Sequence, residues 1–172
     1  MGLRDRALLS LMTYSFARVS AVIQMEVRDY APSGKRFKVT LHEKGGKYHE
    51  VPVHHKAEEY LDAYIQAAGI AGEKNAPLWR KGVRGRSHLL QEKQLTRFDV
   101  FGTIRRRARA AGISEEICCH TFRATGITVY RKGGGTLDKA QAIANHSSPR
   151  TTRLYDRSDD EITLDEIERI QL

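Results

Sequence analysis

Hydrophobic spacing changes its period twice in the first 70 residues, and that change restricts what this chain can fold into. Leu3, Ala7, Leu8, Leu11 and Met12 recur every three or four residues, the spacing of one helix face. A second apolar run extends from Val19 to Val27. Residues 37–42 then alternate, with Phe37, Val39 and Leu41 on one side, and Val51 and Val53 continue the alternation after a turn. Between the two runs lies Glu43-Lys44-Gly45-Gly46-Lys47, and a Gly-Gly pair between β runs predicts a two-residue hairpin. Helical spacing returns at 56–68, where Ala57, Tyr60, Leu61, Tyr64, Ile65 and Ala68 face inward and Gly69 ends the helix. The fold class that follows is α+β, mainly helical, with a small antiparallel sheet set in near the N-terminal side.

The remainder reads as a basic loop followed by helices. Residues 70–94 lack a clear period and carry Arg80, Lys81, Arg84, Arg86 and Lys93. A helix is predicted from about Thr96 to Ala111, closed by Gly112, with Arg105, Arg106, Arg107 and Arg109 on its polar side. Another begins near Thr121 and stops before Gly133-Gly134-Gly135. Thr136 is an N-cap for a short helix through Ala144. Ser148-Pro149 supplies N-cap and first position for a helix expected to carry Tyr155. Thr163-Leu164-Asp165-Glu166 is a capping box and opens a last helix with Ile167 and Ile170 on one face.

At 172 residues the chain fits one domain, 1–172, large enough to bury a core. A content of 40% hydrophobic and 29% charged residues excludes an intrinsically disordered chain. Lys and Arg exceed Asp and Glu by 29 to 21, a net charge of +8 that suits a polyanionic partner. Cys118 and Cys119 are adjacent, which disfavours a normal disulfide, and no CxxC spacing offers a zinc site. They read as small residues of a reducing compartment. No run approaches the ~20 apolar residues of a membrane span, so a cytoplasmic location is expected.

The chemistry is concentrated in the last third. His120-Thr121-Phe122-Arg123 places an imidazole and a guanidinium three residues apart at a helix start, a pair suited to binding phosphate. His146 follows, in His146-Ser147-Ser148-Pro149-Arg150-Thr151-Thr152-Arg153-Leu154-Tyr155, which ends on a tyrosine nine residues further on. Either histidine or the tyrosine alone is more often a cap or a core residue; the joint spacing is what carries information.

This HxxR…H…Y pattern resembles the active-site signature of the tyrosine recombinases, the phage-integrase family, in which the latter stretch reads close to L-G-H-S-S-x-x-T-T-x-x-Y. The resemblance implies two further residues upstream. Arg18, in Phe16-Ala17-Arg18-Val19-Ser20, matches the family's G-x-R-x-S-E, and Lys44, in Lys44-Gly45-Gly46-Lys47 before Val51-Pro52-Val53, matches K-G-x-K-x-R-x-V-P-L. Lys44 is preferred over Lys47 because the family places its catalytic lysine at the first of the two. There are three departures: Phe16 and Asn145 stand where the family has glycine, and Ala21 stands where it has an acid.

What the resemblance implies is a catalytic domain with a three-stranded sheet, acting in site-specific DNA recombination. Arg18 and Arg123 would stabilise the charge of a phosphodiester in mid-reaction, with a hydrogen bond from His146. Tyr155 would attack and form a 3′-phosphotyrosyl bond. Since a phenol in water loses its proton only near pH 10, His120 is the expected base, and Lys44 the acid that protonates the leaving 5′-oxygen. The linkage keeps the bond energy, so no cofactor, ATP or metal is expected. Double-stranded DNA is the expected partner, with self-association on DNA into the tetrameric synapse of the family, although a monomer without DNA is possible. Arg80, Lys81, Arg84, Arg86, Arg105 and Arg106 are expected to track the DNA backbone. Family members usually carry a preceding helical core-binding domain, and this chain matches only the catalytic half. The last helix is expected to dock either on a neighbouring protomer or on its own domain. A DNA-binding fragment without catalysis and a type IB topoisomerase remain open as alternatives, with the HSS-x-x-TT-x-x-Y run favouring a recombinase.

Overall fold

The computed structural model describes residues 2–83 and 86–157, with backbone alone at 87 and 88. Arg84 and the predicted C-terminal helix lie outside the described residues. Helix α1 (Gly2–Tyr14) is followed by a short α2 (Val19–Ile23) and a 3-10 turn (Val27–Asp29). Strands β1 (Tyr30–Ser33), β2 (Arg36–Glu43) and β3 (Lys47–Pro52) form an antiparallel sheet in the order β1-β2-β3. Then come α3 (His55–Ala68), a second hairpin of β4 (Arg80–Val83) and β5 (Arg86–Gln94), and helices α4 (Arg97–Ala110), α5 (Cys119–Lys132), α6 (Leu137–Ile143) and α7 (Pro149–Arg153).

Local chemistry accounts for most of these boundaries. Thr96 caps α4 through its hydroxyl on Asp99 N, while the Asp99 carboxylate accepts from Thr96 N. Thr136 accepts from Lys139 N and Ser148 from Arg150 N, the latter with Pro149 at the first helical position. Gly69 ends α3 in the left-handed conformation. The β2–β3 turn departs from a two-residue loop: Glu43 pairs with Lys47, leaving Lys44, Gly45 and Gly46 in the turn. Gly45 and Gly46 both take positive φ there, which glycine adopts without strain.

The segment 70–94, predicted as a loop, contains the second hairpin instead. Its pairing is irregular, with shifts on either side of Gly82, and Leu89 points to solvent. A mostly exposed, bulged pair has no reason to show the alternation that marks a half-buried strand. Arg80, expected on DNA, is 6% exposed. Its guanidinium pairs with Glu73 and donates to Pro77 O, and its own carbonyl accepts from Arg4 at 2.7 Å. It is therefore a structural arginine. The same buried network links α1 to α4: Asp5, 1% exposed, accepts from Arg4 at 2.6 Å and from Arg107 at 2.6 Å.

The larger core joins α1, α2, the three-stranded sheet, α3 and α4 around Leu8, Leu11, Val22, Leu41, Leu61, Trp79 and Ile104. A smaller core consists of Phe16, Ile127, Ala140 and Ala144, with Tyr130 and Tyr155 packed on it. It brings α5 and α6 against the end of α1. The approach is close at Gly126, where a Cβ would collide with Thr13 O and the Phe16 ring. Gly126→Ala is therefore expected to destabilise the fold by about 2–3 kcal/mol through overpacking, read as a lowered urea midpoint at unchanged m-value. A midpoint equal to wild type would mean that α1 and α5 are not in this register.

Candidate active site

Each candidate residue is placed by a definable piece of backbone. Arg18 is the N-cap residue of α2. Lys44 is exposed in the β2–β3 turn. His120 and Arg123 lie on the first turns of α5; His120 is exposed at the surface, and Arg123 is buried beneath it at 2% exposure. His146 is set by the end of α6. Asn145 turns into the left-handed region at φ 48°, Asn145 N donates to Ala142 O, and His146 N donates to Gln141 O. These are the two bonds of a Schellman motif, with asparagine in the position glycine usually fills. Tyr155 follows α7 rather than lying within it, because the helix ends at Arg153 with Leu154 as its cap.

Arg123 is the hub. Its Nη1 donates to Phe16 O, its Nη2 to Ala144 O at 2.5 Å, and its Nε to His146 Nε2 at 3.2 Å. Phe16 is in the left-handed region at φ 51°, a conformation that costs a bulky residue free energy, and this turn accompanies the aim of its carbonyl at the guanidinium. Both departures from the glycines of the recombinase pattern, Phe16 and Asn145, thus fall on positive-φ residues whose backbone shapes the Arg123 pocket.

A guanidinium has no acceptor, so His146 Nε2 must accept, and the ring proton lies on Nδ1. Nδ1 then donates to Thr152 Oγ1 at 3.0 Å, with Thr152 fully buried. His146 is held as a neutral imidazole. Burial, then the nearby Arg123 and Arg18, lower its pKa from 6.5 to about 4. Because Nε2 is committed to Arg123, His146 is not a phosphate donor in this arrangement. Burial and Arg18 likewise lower the Arg123 pKa to about 10, against the opposing pull of Tyr155 and Glu43.

Tyr155 lies across this hub. Its ring stacks on His146 at 5.5 Å between centroids, the Arg123 guanidinium carbon is 5.6 Å from its centre, and its hydroxyl is 3.2 Å from His120 Nδ1. The two faces of the hub open differently. Arg18, Lys44, Lys47, Asn145 and Ser147 line a cleft of about 1030 Å³. His120 and Tyr155 line a separate recess of about 500 Å³. Arg123, His146, His120 and Tyr155 are joined by contacts; Arg18 reaches them electrostatically, and Lys44 shares only the Arg18 cleft.

Of the expected backbone-tracking residues, Arg86 is exposed. Lys81 is paired with Asp99 at 2.7 Å. Arg105 lies near Glu115 and Phe101, and Arg106 donates to Thr103 Oγ1 at 3.1 Å, both with about half of their side chains exposed. Two residues that shape the site lie outside the HxxR…H…Y set. The signal for Thr152 is its place in the HSS-x-x-TT-x-x-Y run; the signal for Phe16 is that it stands where the family pattern has glycine.

Residues 1–161 match the phage integrase family. The chain belongs to this family. It is 30% identical over 159 residues to the tyrosine recombinase XerD of Corynebacterium glutamicum, covering 90% of this chain and 48% of the relative. It is 32% identical over 155 residues to XerD of Staphylococcus saprophyticus, covering 90% and 50%. The chain thus spans about half the length of the curated relatives it matches. Among solved structures it superposes on the XerA recombinase with a TM-score of 0.72 at 18% identity, covering 97% of this chain and 56% of that one. It superposes on XerH bound to its difH substrate with a TM-score of 0.68 at 20% identity, covering 97% and 46%. These are likenesses of fold, and they establish the mainly helical α+β architecture as that of the tyrosine recombinases. Among the described residues, no helix is long and apolar enough to cross a membrane.

The neutral His146 gives a pH dependence with a definite sign. Its folded-state pKa is depressed, so between pH 6.5 and 4 the unfolded chain binds a proton that the folded chain refuses. This contribution is fully present above pH 6.5 and is lost as pH falls toward 4, by about 3 kcal/mol in all. Urea unfolding across that range should show a slope that His146→Gln removes. Identical pH profiles for the two proteins would contradict a buried neutral imidazole.

Proposed function

We infer that this chain is the catalytic part of a site-specific DNA recombinase that cuts and rejoins duplex DNA through a 3′-phosphotyrosyl intermediate. The observation that carries the reading is the position of Tyr155: hydroxyl on the His120 imidazole, ring on His146 and Arg123. A tyrosine placed for packing alone has no need of a base at its hydroxyl and a guanidinium over its ring. His120 can accept the phenolic proton as the oxygen attacks phosphorus. Arg18, partly exposed in the larger cleft, is the cation a scissile phosphate meets, and Arg123 supports the same charge from below. Attack breaks the bond to the 5′-oxygen, which takes a proton from Lys44; a 5′-hydroxyl of another strand then displaces the tyrosine and restores the phosphodiester. Each step conserves the number of phosphoester bonds, so no energy source is consumed.

The solved relatives XerH and lambda integrase are recorded with difH and core-site DNA, which supports duplex DNA as the partner here. Self-association on that DNA and a cytoplasmic location go with the same reading.

Two outcomes test it. On a nicked duplex that loses its 5′-hydroxyl strand after cleavage, the wild-type chain should form a covalent adduct stable to denaturing electrophoresis. Tyr155→Phe keeps the ring in the small core, and it should abolish the adduct while leaving DNA binding within about twofold. An adduct from the Phe variant would move the nucleophile elsewhere. Lys44→Ala should cleave normal DNA on the order of 100-fold more slowly, yet approach wild-type rates on a 5′-phosphorothiolate, whose sulfur leaves without a proton. Equal defects on both substrates would remove Lys44 from acid catalysis.

A further inference from the structure

Glu43 is the last residue of β2, next to Lys44, and its side chain is only 8% exposed. Its Oε2 accepts from Arg18 Nη1 at 3.0 Å. Arg18 is 39% exposed, and both it and Glu43 line the larger cleft, the carboxylate being the more deeply buried of the two. Helix α2, which begins just after Arg18, has the sequence Val19-Ser20-Ala21-Val22-Ile23 and offers no acid of its own. Among the described residues, this is the one ion pair that Arg18 makes.

A carboxylate at this point solves a problem that the pocket creates. Arg18 and Arg123 approach closely enough for Arg18 to disfavour the charge of Arg123, while Glu43 favours it. Two guanidinium groups that converge on one phosphate repel each other while the phosphate is absent. A buried counter-charge relieves that repulsion, and a fixed one also selects a single Arg18 rotamer. Because it comes from the hairpin, it ties the Arg18 direction to the turn that carries Lys44.

We propose that Glu43 is a positioning residue of the phosphate clamp, orienting Arg18 toward the scissile phosphate and holding the two arginines together. It touches neither the phosphate nor the leaving group; it acts through Arg18. The proposal rests on the phosphotyrosyl reading for its catalytic consequence, but not for the placement of Arg18. The opposite role, a resident anion that blocks the phosphate site, predicts the opposite change in rate and is an outcome of the same test.

The test compares single-turnover adduct formation on nicked DNA for the wild-type chain, Glu43→Gln, Arg18→Ala and the double variant. Duplex affinity is measured separately in the Tyr155→Phe background. Glu43→Gln removes one negative charge, so affinity should be unchanged or slightly tighter, while cleavage slows on the order of 10- to 100-fold. The double variant should be no slower than Arg18→Ala, because both changes remove one interaction. A methylphosphonate at the scissile position carries no net charge and should shrink both defects together, which a merely structural role would not do. Glu43→Asp keeps the charge but withdraws it by one methylene, and an intermediate defect is expected. Cleavage by Glu43→Gln at or above the wild-type rate, or multiplicative losses in the double variant, would overturn the proposal; a faster rate would identify a blocking anion. Hindered rotation of the Arg18 guanidinium, read by 15N NMR, should be present in the wild type and lost in Glu43→Gln. If the wild type forms no adduct but this difference is seen, the phosphotyrosyl reading fails and the placement of Arg18 by Glu43 stands. Identical Arg18 signals would sink the Glu43 proposal by itself.

Discussion

The buried guanidinium of Arg123 is the interaction around which the part of the fold made by the end of α1, α5 and α6 is assembled. A charge at 2% exposure is tolerable only when its donors are met, and here they meet Phe16 O, Ala144 O and His146. Those acceptors come from the residues after α1 and from the end of α6, while the guanidinium comes from α5. One side chain therefore fixes three segments. The small core of Phe16, Ile127, Ala140 and Ala144 comes from the same segments, so the contacts that dock α5 and α6 also hold the site.

Arg123 also determines the state of its neighbours. Its donation to Nε2 selects the tautomer of His146, Thr152 receives the Nδ1 proton, and Tyr155 lies on the resulting flat surface with its hydroxyl at His120. The backbone that makes this possible is strained at one place. Phe16 adopts a conformation that glycine would take freely, and the cost, on the order of 1–3 kcal/mol, is offset where its ring packs against Gly126 and meets Tyr130 edge-on. Asn145 meets the same requirement more cheaply, since its short polar side chain tolerates the left-handed region.

Much of this was legible in the sequence where local chemistry decides the structure. Thr96, Thr136, Ser148-Pro149 and Gly69 mark helix ends because caps and left-handed stops depend on one or two side chains. The first hairpin was legible because one of its faces is buried, and the joint spacing pointed to four residues that the fold brings into contact, His120, Arg123, His146 and Tyr155. The second hairpin was not, because strands that bury little display no period. Arg80 read as a surface cation, because nothing local announces that Glu73 and Arg4 close over it. Glu43 carried no signal at all: its meaning comes from the packing of the hairpin against Arg18, a contact 25 residues apart in the chain. Composition was informative about charge but not about its use, since several of the arginines on α4 are taken up by Asp5 and Glu115.

If Tyr155 is the nucleophile, its oxygen becomes bonded to a DNA 3′-phosphate, and that bond can be located. An adduct trapped on nicked DNA can be digested with nuclease and trypsin, and the nucleotide-bearing peptide sequenced by mass spectrometry. Cleavage after Arg153 and Arg157 isolates Leu154-Tyr155-Asp156-Arg157. This peptide should carry the nucleotide, on Tyr155 and through a 3′-phosphate. A nucleotide attached to any other residue, or a 5′-linkage on Tyr155, would contradict it.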